Sequence, residues 1–157
     1  VHLVALQLAR PDGLILVKVA SLQGSHLKLA FQLPGAKMRV GEKPSAAMRR
    51  LLLRDFRDIQ SSITNAYRET NTFSKSSKTY GVSTTYKRTV FHATLDDGGY
   101  GTTPLSLNSV HGIGHIELQS CILFSGIDAI GERPSLNLCA WMDPAVLQVC
   151  AEAIENN

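Results

Sequence analysis

Several absences narrow the reading of this 157-residue chain before any motif is considered. Its longest nearly apolar stretches, Leu14–Ala20 and Cys121–Ala129, are far shorter than the ~20 residues a helix needs to cross a bilayer. No segment joins a basic start, an apolar run and a small-residue cleavage site, so a secretory leader is not read here. Only three cysteines occur, Cys121, Cys139 and Cys150, with no CxxC or CxxxH spacing, which gives no metal-ligand pattern. Their odd number and apolar settings suit reduced thiols, and a cytoplasmic domain or the cytosol-facing part of a larger protein is expected. Aromatic residues make up 6%, little for a surface that works by base stacking. Gly98-Gly99-Tyr100-Gly101 lacks the G-x-G-x-x-G spacing of a dinucleotide loop, and no suitable helix follows it. His111 and His115 flank two glycines, which oppose the helix that would align them for a metal. The chain begins at Val1, not Met, and a segment of a longer protein is expected.

What is present reads as one globular domain over residues 1–157. Hydrophobic residues make up 44% and charged ones 18%, too apolar for disorder. The net charge of +3 hides an asymmetry. Ala36–Leu95 holds 12 Lys/Arg against four Asp/Glu, whereas Asp96–Asn157 holds one basic residue, Arg133, against eight acidic ones. An anionic partner is therefore sought in the first half.

Val- and Leu-rich segments predict strands at His2–Leu8 and Leu14–Ala20, joined through the turn Arg10-Pro11-Asp12-Gly13, and a third at Leu27–Leu33. Met48, Leu52, Phe56 and Ile59 recur at spacings of four and three, which predicts a helix over Ser45–Ser61 with Pro44 in its first turn. On a helical wheel Arg50, Arg54 and Arg57 share one face and Arg49 lies off it. Glu69–Thr85, dense in Ser, Thr, Asn and Lys, reads as a surface loop or the tip of a long hairpin. Strands follow at Thr85–Leu95, His115–Phe124 and Ser135–Trp141. Asp143 and Pro144 then open a terminal helix to about Ile154, with Val146, Leu147, Cys150 and Ile154 toward the core. The order implies a mixed sheet with packed helices.

One segment is more specific. Leu33-Pro34-Gly35, the loop ending Gly41-Glu42-Lys43-Pro44, and the helix carrying Arg50 and Leu52 together resemble the Nudix box. Ala140-Trp141-Met142-Asp143-Pro144 resembles that family's exit into its last helix. The resemblance implies a Nudix-like α/β/α sandwich with a mixed central sheet, one box helix and a C-terminal helix. It makes Gly35, Gly41 and Glu42 structural and pairs Arg50 with Glu42. The departures carry the functional reading. Ala36 stands for the box's next Gly, Leu51 for the Glu after the helix Arg, Arg54 and Asp55 for the paired metal-binding Glu residues, and Arg57 and Asp58 for the following Gly and aliphatic residue.

Hydrolysis in this family, as the resemblance implies, uses Mg²⁺ or Mn²⁺ held by several carboxylates. A fixed guanidinium at Arg54 repels such an ion, and Asp55 alone holds it weakly. No catalytic residue and no cofactor is therefore expected, with Mg²⁺ or Mn²⁺ required only if hydrolysis survives. The favoured reading is a regulatory domain that binds a nucleotide-diphosphate ligand of the ADP-ribose kind through Lys37, Arg39, Arg50, Arg54 and Arg57. An RNA- or protein-interaction scaffold is the first alternative, with Tyr80, Tyr86, Phe91 and Tyr100 as stacking faces. An active hydrolase drawing displaced ligands from Asp55, Asp58, Asp96 and Asp97 is the second.

Overall fold

The computed structural model describes residues 1–23, 26–77, 79–96, 103–107, 116–127 and 134–155. It is a mixed α/β fold. Nine strands are β1 (His2–Ala9), β2 (Ile15–Gln23), β3 (His26–Gln32), β4 (Gly35–Lys37), β5 (Ile63–Ser76), β6 (Ser83–Leu95), β7 (Thr103–Leu107), β8 (Ile116–Ile127) and β9 (Pro134–Met142). Among the described residues the helices are α1 (Pro44–Asp55) and α2 (Pro144–Glu155), with a short 3-10 turn at Gln60–Ser62. The main sheet runs β5-β6-β1-β2-β9-β8-β7, with β3 beside β2 and β4 beside β1. Only β1 and β6 pair in parallel among the described residues.

Alternation along the central strands explains two cores on opposite faces. Leu16 of β2, Cys139 and Trp141 of β9, and Val4, Leu6 and Leu8 of β1 pack with α1 residues Ala47, Met48, Leu51 and Leu52. Ile15, Val17, Ala140 and Met142 face the other way, against Cys150 and Leu147 of α2. A register shift in β2 between Lys18 and Ala20 breaks the alternation, so Val19 and Ala20 both join the α2-side core. Beside it Phe31 of β3 takes a left-handed backbone, φ 44°, while its ring is fully buried. Packing holds a conformation that this residue type avoids elsewhere.

The helix predicted to reach Ser61 stops at Asp55. Phe56 leaves helical geometry and donates its N–H to the Leu52 carbonyl at 2.9 Å. The chain then turns so that Phe56 and Ile59 remain buried at 1% exposure each. Burying a side chain of this size contributes roughly 1.5–3 kcal/mol, more than the remaining helical turns would supply. The stretch expected as a loop or hairpin tip from Glu69 is strand as far as Ser76, in register with β6 throughout, and only the turn between Ser76 and Ser83 forms the tip. Opposite α1, Asp143 Oδ1 accepts the Ala145 N–H at 2.8 Å and opens α2. Val146, expected to face the core, is exposed, and Leu147, Cys150 and Ile154 make the contact instead. No helix among the described residues is long and apolar enough to cross a membrane.

Candidate functional site

The connection from β3 to α1 is held from several sides. Gly35 lies so close to β1 that a Cβ built there would sit 2.7 Å from the Val4 carbonyl oxygen. The Leu6 N–H donates to the Pro34 carbonyl at 2.8 Å, and the Met38 N–H to that of His2 at 2.8 Å, which bracket the three-residue β4. Gly41 adopts φ +75°, the left-handed region where a side chain is strained.

Glu42 organises this loop. Its carboxylate accepts Arg50 Nε at 3.1 Å and Nη2 at 3.0 Å, and Oε1 also accepts the Arg39 N–H at 2.9 Å. Arg50 Nη2 donates in addition to the Lys37 carbonyl at 2.8 Å. The Arg50 fork, followed by the Arg39 amide, lowers the Glu42 pKa from 4.5 to about 2. Arg50 is thus committed to the loop.

At the end of α1, Arg54 forks onto its neighbour Asp55. Nε meets Oδ1 and Nη2 meets Oδ2, both at 2.8 Å. The Asp55 side chain is 8% exposed and that of Arg54 31%. The hydrogen bonds to Asp55 raise the Arg54 pKa above its ordinary value against the opposing effect of burial. Both Asp55 oxygens therefore already have a cationic partner, and a metal ion would have to displace a bidentate guanidinium to reach them.

Arg54 and Asp55 line a narrow cleft with Pro34, Gly35, Phe56, Lys18, Asn137 and Cys139. Its volume of about 20 Å³ suits a single water-sized group. Lys18 and Asn137 are additions that no local motif announced. The one available signal for each is a polar residue inside an apolar strand, Leu16-Val17-Lys18-Val19 and Leu136-Asn137-Leu138. Lys18 pairs in register with Cys139, so the sheet brings β2 and β9 together beneath the end of α1.

On the solvent side of α1 lies an open depression of about 410 Å³, lined by Ala46, Arg49, Arg50, Leu53, Arg54 and Arg57. Arg49, which the wheel sets apart, belongs to it, because residues spaced by three and four line one helix face and long side chains bridge the remaining angle. Lys37, at the end of β4, and Arg39, in the loop after it, are exposed and do not line it. No polar partner of Arg49 or Arg57 occurs among the described residues, and Arg57 is exposed just past the helix end.

The other sequence candidates lie elsewhere. Asp96 accepts the Thr64 hydroxyl and donates its N–H to the Ser62 carbonyl at 2.9 Å, closing the open end of the β5–β6 hairpin. Asp58 is exposed in the turn after α1. His92 Nε2 lies 2.7 Å from Glu69 Oε1, and its ring stacks on Tyr67. Phe91 is buried in the α1-side core, Tyr86 stacks on Phe73, and Tyr80 is exposed at the hairpin tip. Asp97, Tyr100, His111 and His115 lie outside the described residues. Among the described residues no three His, Cys, Asp or Glu side chains gather as a metal group would require. No protein-family model matches the chain, and no curated protein matches it.

Proposed function

We propose that this is a Nudix-like domain that binds a phosphate-bearing anion, of the nucleotide-diphosphate class, without hydrolysing it. The observation that carries the reading is the fork of Arg54 onto Asp55 beside Lys18. Two cations and one carboxylate occupy the cleft where an active relative would need several carboxylates around Mg²⁺ or Mn²⁺. The cleft is too small for a nucleotide, so the phosphates sit at its mouth. There Arg54 offers its remaining N–H groups and Arg49 and Arg57 supply further charge from the helix face. The Glu42–Arg50 pair keeps the loop and helix in place rather than contacting ligand. This differs from the larger sequence-based set, in which Lys37, Arg39 and Arg50 also touch the anion.

Substitution of Asp55 separates this reading from a surviving hydrolase. For a metal-dependent enzyme, Asp55→Asn removes a ligand and abolishes turnover. For an anion-binding module it removes a competing negative charge. A carboxylate about 6 Å from a phosphate at an effective dielectric near 40 opposes binding by about 1.4 kcal/mol, or roughly tenfold in affinity. Calorimetry with ADP-ribose and with inorganic pyrophosphate is therefore expected to show binding without Mg²⁺, tightened in Asp55→Asn and weakened in Lys18→Ala and Arg54→Ala. Turnover of ADP-ribose with Mn²⁺ that disappears in Asp55→Asn would overturn the proposal, as would no binding of either anion.

A further inference from the structure

The β5 strand, at one end of the sheet, is 14 residues long and pairs with β6 along its whole length, from Ile63↔Leu95 to Ser76↔Ser83. Its other edge has no strand beside it among the described residues, and residues 64–72 and 74–76 are exposed. At ~3.3 Å per residue this open edge extends for roughly 46 Å. Natural sheets blunt such edges with proline, dense charge, or a covering element. Here there is no proline, and Arg68, Glu69 and Lys75 are the only charges. A register shift at Ala66 bounds a regular run beginning at Tyr67.

We propose that this edge pairs antiparallel with β5 of a second copy of the chain, about a two-fold axis at Thr70. An axis normal to the sheet keeps each side chain on its own face, so the pairing can be tested position by position. An axis at Arg68 or at Glu69 would set two like charges directly opposite. An axis at Asn71 faces Glu69 with Phe73 and Tyr67 with Lys75. An axis at Thr72 pairs Glu69 with Lys75 but sets Phe73 against Asn71 and leaves Tyr67 without a ring. At Thr70 the opposing pairs are Arg68 with Thr72, Glu69 with Asn71, and Tyr67 with Phe73, with no like charges opposed.

The ring pair favours the Thr70 axis most strongly. Tyr67 already stacks on His92 at 4.3 Å, and Phe73 on Tyr86 at 5.2 Å, while Tyr67 is 61% exposed. Opposition of Tyr67 to Phe73 of the second copy joins these two stacks into one four-ring row across the interface, and symmetry repeats it. Cross-strand aromatic pairs are among the favourable contacts of antiparallel sheets. This inference stands apart from anion binding, since the β5 edge contributes nothing to the cleft or the arginine face.

Sedimentation over micromolar to hundreds-of-micromolar protein tests it, with the mass expected to rise from 17.1 kDa toward twice that value. Register is read by cysteine pairing. Directly opposed Cα atoms lie ~4.5–5.5 Å apart, within disulfide reach. Thr70→Cys, which opposes itself, is expected to cross-link under mild oxidation at least tenfold faster than Thr72→Cys. Tyr67→Lys, whose fold is checked by circular dichroism, is expected to weaken dimerisation at least tenfold. A wild-type chain that stays monomeric across the range, or faster cross-linking at Thr72 than at Thr70, overturns the proposal.

Discussion

The Arg54–Asp55 fork lends itself to a double-mutant cycle whose outcome follows from its unequal burial. Asp55 is 8% exposed and Arg54 31%, so the two ends have different access to water once separated. Exposed ion pairs contribute about 0–1 kcal/mol, and breaking a fully buried pair costs about 3–5 kcal/mol. A bidentate pair between these limits is expected to show a coupling energy of about 1.5–2 kcal/mol. Arg54→Met keeps the aliphatic packing but leaves an enclosed carboxylate without its cation, so a loss of about 2–3 kcal/mol is expected. Asp55→Asn leaves a guanidinium that reaches solvent, and its cost is about 1 kcal/mol. The double variant should lose less than the sum. Urea unfolding at neutral pH, with the slope unchanged and the midpoint shifted, measures all three. Additive losses, or a greater loss for Asp55→Asn than for Arg54→Met, would refute the reasoning, since either shows that the pair is not held in the geometry from which these values follow.

Two further predictions concern the loop before α1. Gly35→Ala would place a Cβ 2.7 Å from the Val4 carbonyl oxygen and push β4 off β1, at a cost of about 2–3 kcal/mol in urea unfolding. Gly41→Ala meets no atom within 4 Å and suffers only its φ of +75°, so about 1–2 kcal/mol is expected, with Gly41→Asn recovering part of it; a larger cost at Gly41 than at Gly35 would contradict this. Glu42 titrates at about 2 in the fold against 4.5 ordinarily, so its contribution is complete above about pH 4.5 and fades as the pH falls toward 2. Thermal melts should therefore show wild type and Glu42→Gln converging in acid and separating at neutral pH, and parallel curves throughout would exclude the Arg50 contact as the cause.

The fold was largely legible where burial imposes a period. Leu16 and Trp141 point one way and Val17 and Met142 the other because the two helix-covered faces each demand apolar side chains, and that demand is visible along a single strand. β5 was harder to read because, as an edge strand, it buries almost nothing. Its Ser, Thr and Asn residues satisfy a strand that gains its hydrogen bonds from β6, yet in one dimension they resemble a loop. The end of α1 is hidden in the sequence for a related reason. Phe56 and Ile59 keep helical spacing, but both also reach the core from a turn, and hydrophobic period cannot separate the two paths.

The candidate site divides along the same line. Gly35, Gly41, Glu42 and Arg50 lie within one short segment, and their constraints are local: a close approach, a positive φ, and a fork across one loop. Lys18 and Asn137 are separated by more than a hundred residues, and only the register of β2 against β9 brings both beneath Arg54. That register is interrupted immediately after Lys18, where Val19 adds a residue to β2 relative to β9. Without the shift, strict alternation would send Ala20 to the face of Lys18; with it, Val19 and Ala20 both pack under α2, and Lys18 is the last β2 side chain before the break on the α1 side. Lys18 itself reaches the cleft by alternation from Leu16, so the charge of the cleft is set as much by a β2 residue outside the Leu33–Leu52 segment as by the arginine at the end of α1.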